Sequence, residues 1–284
     1  MEQIDILKNG YKIIQDSERF QFGIDAVLLA DFAMGGEARS AGGVKVASSV
    51  KAREKVIDLG TGTGIIPLLM AGNHRWLSLS KPNTIANPLN KIANTWSNFI
   101  GLTTPVQFTG LEVQKESADM ASRSVELNGL EDRIHIVHGD LREVGRLFDK
   151  HSFNIVTCNP PYMIDSHGRG NQLDAKTIAR HEVLCTLEDV VSAADYLLAT
   201  HGRFFMIHRP FRLPEIFESL VAHGLEPKRM RLIQPFADKE PNMVLIEARK
   251  NAKRRLTIEP PLVVRYDDGE YTAEITRIYG DYGG

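Results

Sequence analysis

Val56–Met70 reads VIDLGTGTGIIPLLM. Val56-Ile57-Asp58-Leu59 is a short apolar strand, and an apolar helical run begins at Ile65. Between them Gly60, Gly62 and Gly64 form a G-x-G-x-G turn. Glycine permits φ > 0 and lets a ligand approach the main chain closely. Plain structural turns also use glycine triplets, so the flanking residues decide what this one excludes. No Gly-Lys-Ser/Thr follows, which rules out a nucleoside-triphosphate loop, and the spacing is not the G-x-G-x-x-G of pyrophosphate binders. Asp58 would repel a phosphate and suits a cationic or amine-bearing ligand.

Strands and helices alternate outward from this stretch. Strands are expected at Gln107–Val113, Arg133–Val137, Phe153–Cys158 and Arg203–Ile207. Helices are expected at Gln114–Asn128, with Gly129 as the C′ residue, and at Leu213–His223. Another opens at the Thr186/Asp189 capping box and runs to about Thr200. Strand-like runs follow at Arg231–Gln234, Met243–Ala248 and Leu262–Tyr266, with a hairpin-like turn at Asp268-Gly269. The pattern is that of an α/β fold with a largely parallel sheet and helices on both faces. One domain over residues 1–284 is expected, with an N-terminal segment (1–34) and a C-terminal part (202–284). Two stretches break the rhythm. Gly35–Ser49 reads as a loop, and 72–106 as an insertion that contains no acidic residue but both Trp76 and Trp96.

Composition is that of a soluble globular protein, with 43% hydrophobic and 25% charged residues. No apolar run reaches the length of a membrane span, and the N-terminus has no secretory pattern. Cys158 and Cys185 suggest no disulfide framework, which favours the cytoplasm. The net charge of −2 argues against coating nucleic acid by bulk charge, but Gly202–Thr257 holds twelve Lys and Arg against six acids, a local excess of six. Such a run is usually a solvated face and is otherwise a polyanion contact.

Two further acids close strands. Glu112 stands where a ribose-binding carboxylate belongs, although 48 residues after Gly64 instead of the usual 20 or so; the insertion accounts for the surplus. Asp140, ending IHIVHGD, sits at the matching edge of the next strand, where an acid can accept the exocyclic amine of an adenine. Each alone could be a helix cap. Three acids ending three consecutive strands are harder to explain that way.

Phe153–Asp165 reads FNIVTCNPPYMID. Two prolines cannot continue a ladder, so the strand stops at Asn159-Pro160-Pro161-Tyr162. A carboxamide and a phenol are left at a strand's C-terminal end, where open α/β sheets bind ligands. Cys158 is better read as a packed strand residue than as a nucleophile. His135, His138 and Asp140 suggest metal spacing, but positions three apart on a strand face opposite sides, which argues against zinc; no metal is expected.

With these motifs in order, the chain resembles the class I S-adenosylmethionine-dependent methyltransferases over Phe20–Pro210. Asp58-x-Gly60-x-Gly62-x-Gly64 resembles their first motif, Glu112 their ribose acid and Asp140 their adenine-side acid. Asn159-Pro160-Pro161-Tyr162 resembles the N-P-P-Y signature of enzymes that methylate a conjugated amine nitrogen. ERFQFGIDAVLLADFA, IARHEVLCTLEDVV and FMIHRP bring it closer to the tRNA (adenine-N6) methyltransferases that modify an adenine beside the anticodon of a valine tRNA. The resemblance implies a Rossmann-like fold with a seven-stranded, mostly parallel sheet and S-adenosylmethionine as methyl donor. It implies that Phe22, Gly23 and Asp25 pack over the cofactor, with Asn159 also lining its pocket. An RNA partner would need a basic surface, for which Arg180, His181, Arg209, Arg212, Lys228, Arg229 and Arg231 are the candidates. The oligomeric state stays open, with a monomer the simpler expectation. Two other readings stand: methylation of a protein glutamine, as in release-factor methyltransferases that share N-P-P-Y, and a non-catalytic RNA- or cofactor-binding module. The first of these relatives carries an N-terminal helical recognition domain, whereas 54 residues precede the glycine strand here.

Overall fold

The structure, a computed structural model, describes residues 1–17, 22–35, 54–72, 106–160 and 185–279. A hairpin of β1 (Glu2–Ile6) and β2 (Lys12–Asp16) opens the chain, followed by α1 (Ile24–Ala33). The main sheet is then built from β3 (Lys55–Leu59), β4 (Gln107–Glu112), β5 (Ile134–His138), β6 (Phe153–Cys158), β7 (Leu198–His208), β8 (Leu225–Gln234) and β9 (Met243–Lys250). Two two-residue strands, β10 (Thr257–Ile258) and β11 (Leu262–Val263), both pair with β8. The seven long strands match the expected number, and the short pair adds to the β8 side. Helices α2 (Ile65–Gly72), α3 (Lys115–Leu127), α4 (Val144–Leu147), α5 (Leu187–Leu197), α6 (Leu213–Ala222) and α7 (Ala273–Tyr279), with 3-10 turns at Leu141–Glu143 and Pro210–Arg212, complete the described elements.

The order β8-β9-β7-β6-β3-β4-β5 is parallel except for β9, which runs antiparallel to both neighbours. The chain fills the sheet from β3 to β5 on one side, then returns past β3 to lay down β6 and β7. The order therefore reverses between β3 and β6, and such a switch point leaves a crevice at the strands' C-terminal ends. The register places Asp58 opposite Thr157 and Leu59 opposite Cys158, so the glycine turn and Asn159 emerge side by side.

Both faces of the sheet are covered, and residues alternate between two cores. Val56, Ile155, Phe205 and Ile207 enter the core closed by α1 and α2, while Ile57, Val156, Phe204 and Met206 enter the core closed by α5. This explains why the strands read as continuous apolar runs rather than alternating ones. The capping box holds: Thr186 Oγ1 accepts from the Asp189 N–H, and the Asp189 carboxylate accepts from Thr186. On the far side of α3 the hairpin is tied down by Ile14 N–H to Ser124 Oγ at 2.9 Å and Lys12 N–H to Asn128 Oδ1 at 2.8 Å.

One expected boundary is wrong in an informative way. β8 begins at Leu225, six residues before the expected Arg231, because Lys228-Arg229-Met230-Arg231 is part of the strand and not a surface run. The expected Leu262–Tyr266 strand shortens to Leu262–Val263, after which the chain turns through Asp268-Gly269. The linker 36–53 and almost all of the insertion lie outside the described residues.

Candidate active site

The glycine turn needs its glycines. Gly60, Gly62 and Gly64 have φ of 70°, 57° and 87°, a region that costs residues with a Cβ about 1–2 kcal/mol. At Gly64 a Cβ would also stand 3.3 Å from the Ala121 Cβ, so α3 packs directly on the turn. At Gly60 an added Cβ meets nothing within 4 Å, leaving room beside the main chain.

Glu112 holds the turn in place. It is buried, Oε2 accepts from the Gly62 N–H at 2.8 Å, and Oε1 accepts from the Gln114 N–H at 2.9 Å. A charge-assisted hydrogen bond contributes about 1.5–3 kcal/mol. Glu112→Ala should therefore weaken S-adenosylmethionine binding by about ten-fold or more, which needs only ~1.4 kcal/mol. An unchanged calorimetric Kd would remove Glu112 from the site.

Asp58 is buried on β3, and its Oδ1 accepts from Thr157 Oγ1 at 2.6 Å. Its Oδ2 has no hydrogen-bond partner, and neither do the buried hydroxyls of Thr61 and Thr63 in the turn. The Thr61 hydroxyl lies close enough to favour the charged carboxylate, yet not in hydrogen-bonding geometry. Burial dominates and pushes Asp58 up to about 7, with Glu112 adding to the rise. Three unpaired buried oxygens of one small region, beside open space at Gly60, fit a polar ligand carrying a cationic amine. S-adenosylmethionine is such a ligand, so the residues present fit the cofactor.

Asp140 takes the alternative that the sequence left open. Its carboxylate caps the short 3-10 turn Leu141–Glu143 through the Arg142 N–H at 2.9 Å and pairs with the Arg142 guanidinium at 2.5 Å. The Arg142 hydrogen bonds hold it below the usual carboxylate range. An adenine amine would have to share this carboxylate with Arg142. Phe22 is half-buried against the α1–α2 core and donates its N–H to Gln15 Oε1 at 2.9 Å. Gly23 is the extended N-cap residue of α1, and Asp25 lies in that helix's first turn.

Asn159 and Pro160 directly follow β6, half-buried and buried respectively. Pro161, Tyr162, Arg180 and His181 lie outside the described residues. On β7, the neighbour of β6, His208 is buried, and its Nδ1 accepts from the Arg209 N–H at 2.8 Å. Burial lowers its pKa to about 4, so the ring is uncharged at neutral pH. Burial raises the Cys158 thiol, as befits a packed strand residue. Among the described residues no group of His, Cys, Asp and Glu could hold a metal.

The basic candidates divide. Arg209 directly follows β7, at the strands' C-terminal ends, with Nη1 donating to the Asn242 carbonyl. Arg212 is paired with Glu215 at 2.6 Å and shares a surface groove with Glu188 and Glu218, so its surroundings are acidic. Arg229 is a correction, and Arg231 is partly engaged. Arg229 is 4% exposed, bonded to Glu247, Glu259 and the Phe32 carbonyl, and Arg231 pairs with Glu274. A phosphate cannot reach a guanidinium buried with two carboxylates. Lys228, bonded to the Lys253 carbonyl, lies nearer the opposite edge of the sheet.

Sequence reasoning missed Thr157 and Gly110. A Cβ at Gly110 would stand 2.7 Å from Thr61 Cγ2, so this glycine on β4 admits the turn's threonine. A lone glycine inside a strand pattern was the available signal.

Solved structures share this fold. A predicted O-methyltransferase of Agrobacterium tumefaciens superimposes with a TM-score of 0.59 over 90% of this chain and 95% of its own, at 20% identity. The 16S rRNA N2 G1207 methyltransferase of T. Thermophilus, solved with AdoMet and guanosine, gives 0.50 over 88% of this chain and half of its own, at 18% identity. Strand order and glycine turn are those of the class I S-adenosylmethionine-dependent methyltransferase fold. No family model matches the chain. Its sequence is similar to curated proteins named tRNA1(Val) (adenine(37)-N6)-methyltransferase. That of Photobacterium profundum is 24% identical over 80% of this chain and 82% of the relative. That of Porphyromonas gingivalis is 25% identical over 94% and 90%.

Proposed function

We propose that this protein methylates N6 of an adenine in the anticodon loop of a valine tRNA. The observation that carries the reading is the placement of Asn159-Pro160 at the end of β6, one strand from the glycine turn. The names of its relatives supply the substrate class.

An adenine N6 lone pair is delocalised into the ring and attacks poorly. The Asn159 side-chain oxygen and the Pro160 carbonyl are two acceptors that hold both N–H bonds and favour the pyramidal nitrogen. Prolines 160 and 161 fix φ, so these acceptors need not reorganise as the bond forms. Bound S-adenosylmethionine supplies an electrophilic methyl group. A strong general base is not required, because the nitrogen becomes acidic on alkylation; positioning carries the burden. Tyr162 offers a face for the flipped base, worth ~1–3 kcal/mol. Arg209, Arg180 and His181 are the phosphate contacts on this reading. Among the described residues no helix is long and apolar enough to cross a membrane, and on this reading the enzyme works in the cytoplasm.

The test is methyl transfer from labelled cofactor to total tRNA, total rRNA and a release factor, followed by nucleoside analysis. Label recovered as N6-methyladenosine from tRNA is expected. Label on the release factor would replace this reading with glutamine methylation.

A further inference from the structure

We propose that Thr157 is a positioning residue for the cofactor: its hydroxyl, donated to Asp58 Oδ1, turns Oδ2 toward the glycine turn to receive the ammonium group of S-adenosylmethionine. Four observations meet here. The Thr157–Asp58 hydrogen bond is 2.6 Å and fully buried. The two residues are register partners on β3 and β6, so the bond spans the switch point itself. With Oδ1 occupied, Oδ2 is left unpaired, together with the hydroxyls of Thr61 and Thr63. Thr157 also stands two residues before Asn159, which directly follows β6. One hydroxyl thus ties the carboxylate of the cofactor strand to the strand that ends in the amine clamp.

A threonine buried between two strands could be mere packing, for which valine is the same shape. The hydroxyl matters only if the direction and charge of Asp58 matter. The charged and titratable groups bearing on Asp58 are Glu112 on β4 and the Cys158 thiol on β6, neither of which favours its ionised form. The Thr157 hydroxyl does favour it. A bound ammonium also favours the ionised form, so cofactor affinity should rise as pH rises through about 7.

The experiment measures calorimetric Kd values against pH, without any methyl acceptor, so its outcome does not depend on the tRNA reading. Thr157→Val should weaken S-adenosylmethionine and S-adenosylhomocysteine about ten-fold at pH 7. It should also move the pH midpoint upward by about one unit. Thr157→Ser should restore both. Methylthioadenosine, which lacks the amino-acid portion, should bind the wild type and Thr157→Val alike. Thr157→Ala takes the place of the valine variant should the latter not fold. Equal Kd values and midpoints in the variants, or an equal loss for methylthioadenosine, would overturn the assignment.

Discussion

Asn159→Ala is expected to lower kcat by at least about 10²-fold while the Kd for S-adenosylmethionine moves only a few-fold. Removing one preorganised acceptor or donor from a reacting centre typically costs 10²–10³ in rate, about 2.7–4 kcal/mol. Here the lost acceptor would face an N–H bond that must be held while its nitrogen pyramidalises. On the proposed reading the methyl donor is gripped elsewhere, by the turn to which Glu112 is hydrogen-bonded and by the Asp58 carboxylate. The two functions sit on adjacent strands and should separate cleanly. Single-turnover rates with calorimetric binding make the distinction, and retained turnover would remove the clamp from the mechanism. A parallel loss of cofactor affinity would instead make Asn159 a binding residue. Asn159→Asp is informative beside it, since a carboxylate also accepts but adds charge near a sulfonium.

What the sequence made legible follows from where its signals are local. The glycine turn, the proline stop at Asn159 and the Thr186 capping box each depend on residues a few positions apart, and each falls where expected. β6 matches its expected Phe153–Cys158 boundaries. The hydrogen bonds that complete the site are non-local: Gly62 to Glu112 joins residues 50 apart and Thr157 to Asp58 residues 99 apart. No periodicity encodes them; only the strand order does. Asp140 shows the limit from the other side: a strand-end acid reads alike as ligand or as cap, and its cap and Arg142 contacts do not depend on whether it also meets a ligand.

The basic run at Lys228–Arg231 misleads for a physical reason, and it carries the largest stability effect. On a strand the side chains alternate, so Met230 enters the α5 core while Arg229 and Arg231 face the opposite side, under α1 and α7. Arg229 donates to Glu247 Oε2 at 2.9 Å, to Glu259 Oε1 at 3.0 Å and to the Phe32 carbonyl at 2.9 Å, and its guanidinium lies 3.8 Å from the Phe32 ring centroid. It thereby joins β8, β9 and the stretch between β10 and β11 to α1, the helix whose first turn carries Asp25. Arg229→Ala is expected to cost about 3–5 kcal/mol, because it leaves the buried Glu247 and its neighbour Glu259 without their shared cation. Arg249 remains on Glu247 Oε1 but is half-buried and cannot reach the far side. The cost should lie in the broken pairing, not in the lost charge itself. Arg229→Met combined with Glu247→Gln should therefore be less destabilised than Arg229→Ala, since well-packed neutral pairs often match buried ion pairs. Urea denaturation followed by circular dichroism reads this as a lower midpoint at unchanged slope. An Arg229→Ala midpoint within error of the wild type would mean that Arg229 is available at the surface after all, and its exclusion from RNA contact would fall with it.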